Sequence, residues 1–324
     1  MDRTELLTTV LAEHYGLVAV VLEPVPDGFT RRTWSAWTAT SRYAVKVRVD
    51  RTPVVWLDAL REVQLGVRIP VPLRTRRGRL RAHPEDGRPV AVFDWLDGEP
   101  LADWPAWPSA VLKSLGGGIA RLHQAGALLP RRRVVRGRSR SLMTSHVALT
   151  WYTDEHHQPD ALARDLLADR MPALLKVRRV LHEQGGSPDG PLVPCHTDLY
   201  ADNLVVDEAG SVGVLDWDEA ALAAAEADFA VIARDQSSPD PLAALVSGYR
   251  SAGGGELSTD AMRWHILARL LGDGVARLPL VTDPGLEPAE REEAALGIDA
   301  WCLEPAARLE EILDVARRSF DPHA

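Results

Sequence analysis

The residues best suited to chemistry fall in one short stretch, Pro194-Cys195-His196-Thr197-Asp198-Leu199-Tyr200-Ala201-Asp202-Asn203-Leu204-Val205-Val206, followed by Val214-Leu215-Asp216-Trp217-Asp218. This order puts Asp198 on a loop, Asn203 at the start of a hairpin and Asp216 just beyond the hairpin's second strand. A loop held by a rigid hairpin can aim several polar groups at one point. Carboxylate and amide oxygens are hard ligands suited to Mg²⁺ that carries nucleotide phosphates. A carboxylate left free of metal can accept or orient the proton of an attacking hydroxyl. Taken alone, Asp198 and Asn203 would also suit an ordinary turn, because both residue types cap and turn chains readily.

Other chemistry-bearing residues read more plainly. Cys195 and His196 are adjacent on an extended segment, so their side chains point to opposite faces and cannot form a nucleophile–base pair. His156-His157 has no cysteine or third histidine nearby and reads as a solvated loop. Gly116-Gly117-Gly118 lacks the Lys-Ser/Thr of a phosphate loop and follows no strand; close helix packing is the expectation. The arginine-rich run 131–140 reads as a solvated loop, with a grip on an anionic ligand as the alternative.

The elements that must position these residues change character along the chain. An opening helix over 3–14 carries Leu6, Leu7, Val10 and Leu11 at helical spacing and stops at Gly16. Strands are expected at 17–25, 33–38 and 43–49 as an antiparallel meander. A helix follows, with Thr52 as N-cap and Pro53 at its first position, running to Gly66. Strands at 79–82 and 89–95 flank the turn Pro84-Glu85-Asp86-Gly87. After Asp97-Gly98, helical patterns dominate at 109–125, 159–184, 222–234, 239–250, 258–278 and 286–318, and the hairpin 204–206/212–215 interrupts them. The expected fold is α+β, with a β-rich lobe over 1–95 and a larger helical lobe over 96–324.

The 324 residues are 46% hydrophobic and 26% charged, an ordinary globular mix that excludes a disordered tail, a collagen or a membrane protein. No apolar run approaches the roughly 20 residues of a bilayer span. The start Met1-Asp2-Arg3-Thr4-Glu5 carries acids where a secretory signal would be basic and then apolar, so a cytoplasmic location is expected. Two cysteines exclude a disulfide framework and a four-cysteine zinc site. The net charge of −9 argues against nucleic acid as partner. Residues 1–95 hold 15 basic against 11 acidic residues, whereas residues from 141 onward hold 14 against 32. Such asymmetry suggests two parts that meet ligands of opposite charge, with a small cationic molecule on the acidic side.

His196-x-Asp198-x-x-x-x-Asn203, followed by a strand and Asp216, resembles the catalytic core of aminoglycoside phosphotransferases, choline kinases and related small-molecule kinases. The resemblance extends over most of the chain. Val45-Lys46-Val47 looks like that family's strand lysine, and Glu62 like its helical ion-pair partner, with Asp58 as competitor on the same face. Ile69-Pro70-Val71-Pro72 and Val90-Ala91-Val92-Phe93-Asp94-Trp95-Leu96-Asp97-Gly98 resemble the run into the hinge, and Ile119-Ala120-Arg121-Leu122-His123 the helix after it. Asp216-Trp217-Asp218-Glu219-Ala220 with Glu226-Ala227-Asp228 looks most like the antibiotic-modifying branch, spectinomycin phosphotransferase in particular.

The resemblance implies a bilobal protein-kinase-like fold and phosphorylation of a small-molecule hydroxyl by ATP or GTP with Mg²⁺. It implies Asp198 as base, Asn203 and Asp216 as metal ligands, Lys46 as clamp on the α- and β-phosphates, and the backbone of Asp94, Trp95 and Leu96 as the purine contact. His196 would brace the catalytic loop and Asp228 anchor it from a helix. Asp202, Asp218 and Glu219 are candidates for the acceptor side. Two departures stand out: the glycine-rich turn over the phosphates is represented by Gly28 alone, and Thr197 replaces the family's usual glycine at a small expected cost. A metabolic kinase for choline, a sugar or homoserine is the alternative within the fold, and a catalytically silent nucleotide-binding protein the alternative outside enzymes. A protein kinase lacks support, since Asp-Phe-Gly and Ala-Pro-Glu signatures are missing.

Overall fold

The computed structural model describes residues 3–18, 20–25, 33–84, 87–103, 106–129, 147–154, 159–185, 190–234 and 238–320. Gly28, the 131–140 arginine run and His156-His157 lie outside them.

The β-rich lobe is one antiparallel sheet of β1 (Val21–Pro24), β2 (Thr33–Trp37), β3 (Arg42–Val47) and β4 (Val90–Asp94), hydrogen-bonded in that order. Helix α1 (Arg3–Val10) continues as a wider turn over Leu11–Tyr15 and ends at Gly16, whose φ of 76° suits glycine. Leu7, Val10, Leu11 and Tyr15 bury against Trp34, Ala36, Val45, Val47, Val90 and Val92 on one face of the sheet. The register Thr33↔Lys46↔Ala91 and the alternation along β3 therefore turn Ala44 and Lys46 to the opposite face, with Ala91 and Phe93.

Helix α2 (Arg51–Leu60) is shorter than the sequence pattern suggests. Its N-cap is Asp50 rather than Thr52, and the chain leaves the helix at Arg61, not at Gly66. Val54, Trp56, Leu57 and Leu60 are buried, and beyond Leu60 a turn closes with Val63 N–H on the Leu60 carbonyl at 3.0 Å. The expected strand 79–82 is reduced to a bridge between Ala82 and Val90.

The helical lobe is built around α3 (Ser109–Gln124), α4 (Ala161–Leu167), α5 (Arg170–Glu183), α6 (Glu226–Arg234), α7 (Pro239–Ser251), α8 (Thr259–Val275), α9 (Pro288–Ile298) and α10 (Leu309–Phe320). The 159–184 pattern is two helices. The 286–318 pattern is broken by a wide turn at Asp299–Leu303 and a short helix Glu304–Ala307 that opens with Pro305 near its start. Its apolar face, with Ile298, Cys302, Ile312 and Leu313, belongs to the main core. Glycines set the α3–α7 contact: a Cβ on Gly116 would lie 2.0 Å from the Leu245 carbonyl, and one on Gly248 2.0 Å from that of Lys113. Within the triple glycine, Gly116 serves this helix contact and Gly118 makes room for Val67, whose Cγ1 would lie 2.6 Å from an added Cβ.

Two small sheets frame the chemistry. The strands β7 (Leu204–Val206) and β8 (Val212–Val214) form the expected hairpin, and β5 (Glu99–Pro100) joins its edge. The strand β6 (Val193–Cys195) pairs with β9 (Ala221–Ala223), a strand that the alanine-rich pattern 222–234 suggests as helix. Tertiary pairing overrides the intrinsic helix preference of alanine there.

Candidate active site

The β6–β9 pair holds the two ends of the stretch that carries Asp198, Asn203 and Asp216 side by side. The loop carrying Asp198 leaves β6 and the turn carrying Asp216 enters β9. At the hairpin's open end, Leu215 N–H donates to the Asn203 carbonyl at 2.8 Å, which sets Asn203 opposite the Asp216 turn.

The loop is fixed from behind. Asp228, on α6 and fully buried, accepts the Thr197 N–H at 2.6 Å and the His196 N–H at 3.3 Å. His123 Nε2 lies 3.0 Å from the same carboxylate and its Nδ1 3.0 Å from the Tyr249 hydroxyl. His196 turns its ring away from Cys195: Nε2 donates to the Leu215 carbonyl at 2.7 Å, Nδ1 accepts the Asp198 N–H at 3.2 Å, and the ring meets Trp217 edge-on. Cys195 instead faces His123, with Sγ 3.7 Å from Nε2. Thr197 sits at φ 67°, a left-handed backbone that is costly for a β-branched residue. The substitution for glycine is therefore not a small change. Its N–H on Asp228 and its hydroxyl on the Glu219 carbonyl, at 2.8 Å, hold it there.

Asp198 is mostly enclosed. Its Oδ2 accepts Asn203 Nδ2 at 2.9 Å, and that amide also reaches the Asp198 carbonyl at 2.8 Å. Across the cleft, Lys46 on β3 sets Nζ 2.7 Å from Asp216 Oδ1 and 3.4 Å from Asp218 Oδ2. Burial works against the Lys46 charge, but Asp216 and then Asp218 outweigh it and raise the lysine pKa. Burial likewise pushes Asp216 up, and the ammonium beside it prevails and lowers it. At Asp218 burial prevails, and its pKa is raised. Asp216 itself has φ 46°.

Glu62 does not join this group. It is exposed on the turn past the end of α2, and Asp58 is engaged by Arg74 at 2.6 Å and Arg61 at 3.6 Å. Lys46 takes its carboxylates from the 216–218 turn instead, because α2 ends one residue before Arg61. In the hinge stretch, Asp94 N–H donates to the Val71 carbonyl at 2.9 Å, and burial pushes the Asp94 carboxyl up. Trp95 is stacked by Arg42, 3.5 Å above its ring, and the same guanidinium lies 4.2 Å from the Trp37 ring. Leu96 Cδ1 approaches Gly213 of β8. Asp202, Asp218 and Glu219 are exposed on the segments next to Asp198 and Asp216.

The sequence reading missed a group of residues behind Asp198. Arg269, on α8, sets Nη2 2.5 Å from Asp198 Oδ1 and Nε 2.9 Å from Asp273 Oδ1. Tyr200 donates to Asp273 Oδ2 at 2.9 Å, and Arg234 Nη1 lies 2.8 Å from the Tyr200 hydroxyl. A signal was available: Arg269 and Asp273, one turn apart, lie in a helix whose neighbours Ile266, Leu267, Leu270 and Leu271 are all buried. Charges in a helix that is apolar nearly all round need partners.

Among the described residues no helix is long and apolar enough to cross a membrane. The sequence pattern of the phosphotransferase enzyme family matches residues 21–265. No curated protein matches the chain. Among solved structures, a spectinomycin phosphotransferase bound to ADP and spectinomycin superposes with a TM-score of 0.69 at 15% identity, over 96% of this chain and 99% of that one. A microcompartment-associated aminopropanol kinase gives 0.68 at 19% identity, over 96% and 99%. An amicoumacin kinase bound to AMP-PNP, Ca²⁺ and its ligand gives 0.64 at 16% identity, over 97% and 94%. These neighbours share the bilobal kinase-like fold found here, and with the match over most of its length the chain belongs to the phosphotransferase enzyme family.

Proposed function

We propose that the protein transfers the γ-phosphoryl group of ATP or GTP to a hydroxyl of a small, cationic, antibiotic-like acceptor, with Mg²⁺ as cofactor. The observation that carries this reading is the convergence of Lys46 on Asp216, of Asn203 on Asp198, and of the two pairs through the Leu215 N–H on the Asn203 carbonyl next to Asp216. It sets a lysine, two oxygen donors and a hydrogen-bonded carboxylate around one cleft. The donor set suits a small hard cation. Asn203 gives its amide nitrogen to Asp198, which leaves the amide oxygen, and Asp216 has a second carboxylate oxygen beyond the one on Lys46. Bound there, Mg²⁺ would offset charge on the phosphates.

The chain's own residues do the rest. Lys46 holds the α- and β-phosphates when it exchanges Asp216 for phosphate oxygens. The backbone at Asp94, Trp95 and Leu96 meets the purine edge, next to Ala44 and Phe93. Asp198 takes a hydrogen bond from the acceptor hydroxyl and orients its oxygen in line with the γ-phosphorus. It receives the proton as the new P–O bond forms and the bond from the γ-phosphorus to the bridging oxygen breaks, with ADP or GDP leaving. Asp202 and Glu219, exposed beside the Asp198 loop, favour an acceptor that carries a positive charge, whereas Asp218 is engaged by Lys46 at 3.4 Å.

A transfer assay tests this reading with ATP and GTP against spectinomycin, aminopropanol, choline, an aminoglycoside and a macrolide, with a neutral sugar, the zwitterion homoserine and an anionic hydroxy acid as competitors. The expected result is phosphorylation of a cationic member, with a Michaelis constant that rises with ionic strength. A neutral or anionic best acceptor would overturn the charge assignment, and no transfer with any nucleotide would overturn the activity.

A further inference from the structure

We propose that Arg269 is the positioning residue for the catalytic carboxylate: its guanidinium fixes Asp198 from behind, before any ligand arrives. The inference rests on the phosphotransferase reading above only for what Asp198 then does.

The contacts are specific to a planar, multi-donor group. Nη2 reaches Asp198 Oδ1 at 2.5 Å, Nη1 the Thr197 carbonyl at 3.2 Å, and Nε the Tyr200 hydroxyl at 3.0 Å. Every nitrogen of the guanidinium thus grips the 197–200 segment. A lysine ammonium, a compact donor on a flexible stem, cannot span three such acceptors.

The arrangement also leaves the carboxylate usable. Arg269 occupies one place on Oδ1 and Asn203 one place on Oδ2, so each oxygen keeps a lone pair for a hydroxyl. Asp198 does not have to neutralise the guanidinium alone, because Asp273 faces the same group at 2.9 Å. Asp273 is fixed in turn by Tyr200 and Arg234. Burial keeps the Tyr200 hydroxyl protonated by pushing its pKa up, so it remains the donor to Asp273. Arg269 is one-fifth exposed, and its charge persists, since Asp273, Tyr200 and Asp198 together outweigh the burial that opposes it.

The test compares wild type, Arg269→Ala, Arg269→Lys, Asp198→Asn and the Asp198→Asn/Arg269→Ala double variant on the best acceptor of the panel above. Loss of position of this size is expected to lower kcat of Arg269→Ala about 100-fold. Nucleotide affinity by titration calorimetry should stay within about twofold of wild type, because Arg269 touches no group assigned to the nucleotide. The double variant should be no slower than Asp198→Asn alone, since both changes act on one carboxylate. Millimolar guanidinium should restore activity to Arg269→Ala, and the same concentration of sodium should not. Arg269→Lys keeps the charge and should fold, yet its kcat should fall about tenfold. An Arg269→Ala or Arg269→Lys enzyme with wild-type kcat, or additive losses in the double variant, would overturn the proposal. If wild type transfers phosphate to nothing, the activity reading fails, and the crystal structure of Arg269→Ala decides this one. The Asp198 carboxylate should then leave Asn203 Nδ2, and an unmoved carboxylate would overturn it.

Discussion

On the helical side of the cleft, Asp198 is held by several fixed groups: fully buried Asp228 clamps its loop, and the partly buried Arg269 and Asn203 occupy one place on each of its oxygens. On the β-side, Lys46 faces Asp216 and Asp218, whose side chains are 47% and 51% exposed. The first arrangement cannot shift without stranding buried polar groups, at several kcal/mol each. The second pairs a lysine that is 17% exposed with two half-exposed carboxylates, an arrangement worth about 0–1 kcal/mol that water can compete for. Asp198 is thus held by groups that are themselves fixed, whereas Lys46, Asp216 and Asp218 hold mainly one another.

The largest expected effect breaks the preorganised side. Asp198→Asn should lower phosphoryl transfer by about 10²–10⁴-fold while calorimetry finds nucleotide affinity unchanged. An Asn enzyme of full activity would remove Asp198 from the chemistry.

Next comes the framework. Asp228→Asn loses the charge that accepts three hydrogen bonds at a fully buried site, and should cost about 3 kcal/mol in denaturant unfolding. Asp218→Asn should change stability by less than about 0.5 kcal/mol. Equal costs for the two would erase the contrast between the sides.

A smaller effect follows from pH. Asp216 is lowered from 3.8, so its share of the lobe-bridging pair is present above that value and lost as pH falls below it. Lys46 is raised from 10.5, so its share is present below that value and lost as pH rises above it. The stability difference between wild type and Lys46→Met should therefore be flat between about pH 5 and 9 and below about 1 kcal/mol. A bell inside that window, seen by thermal melts across pH, would contradict the pairing.

The smallest effect is none. Glu62→Gln should leave nucleotide affinity within about twofold, because Glu62 is exposed beyond α2 and Lys46 is served by the 216–218 turn. A tenfold loss would mean that the helix carboxylate belongs to the nucleotide side after all.

The part of the site that local spacing could reveal was legible: Asp198, Asn203 and Asp216 are tied together by one hairpin, and turn-plus-alternation patterns report hairpins well. Lys46 was legible as a cation set between two apolar strand neighbours, Val45 and Val47. Arg269 was not, because it arrives from a helix some seventy residues downstream and nothing in its own neighbourhood names its partner. The end of α2 was misread because no glycine or proline marks Leu60, and the helical pattern continues through Arg61, Glu62 and Val63. Strand β9 was misread because alanine favours helix, and only pairing with Val193–Cys195 makes Ala221–Ala223 extended.

The central claim is that one side is built in advance and the other assembles on its ligand. A crystal structure with Mg²⁺ and a non-hydrolysable ATP or GTP analogue tests it most directly. The expected structure has Lys46 Nζ moved from Asp216 onto phosphate oxygens, Asp216 and Asn203 on the metal, the purine against the 94–96 backbone, and Asp198 unmoved between Arg269 and Asn203. A nucleotide bound with the Lys46–Asp216 pair still closed, or an Asp198 carboxylate that has swung to a new position, would contradict it.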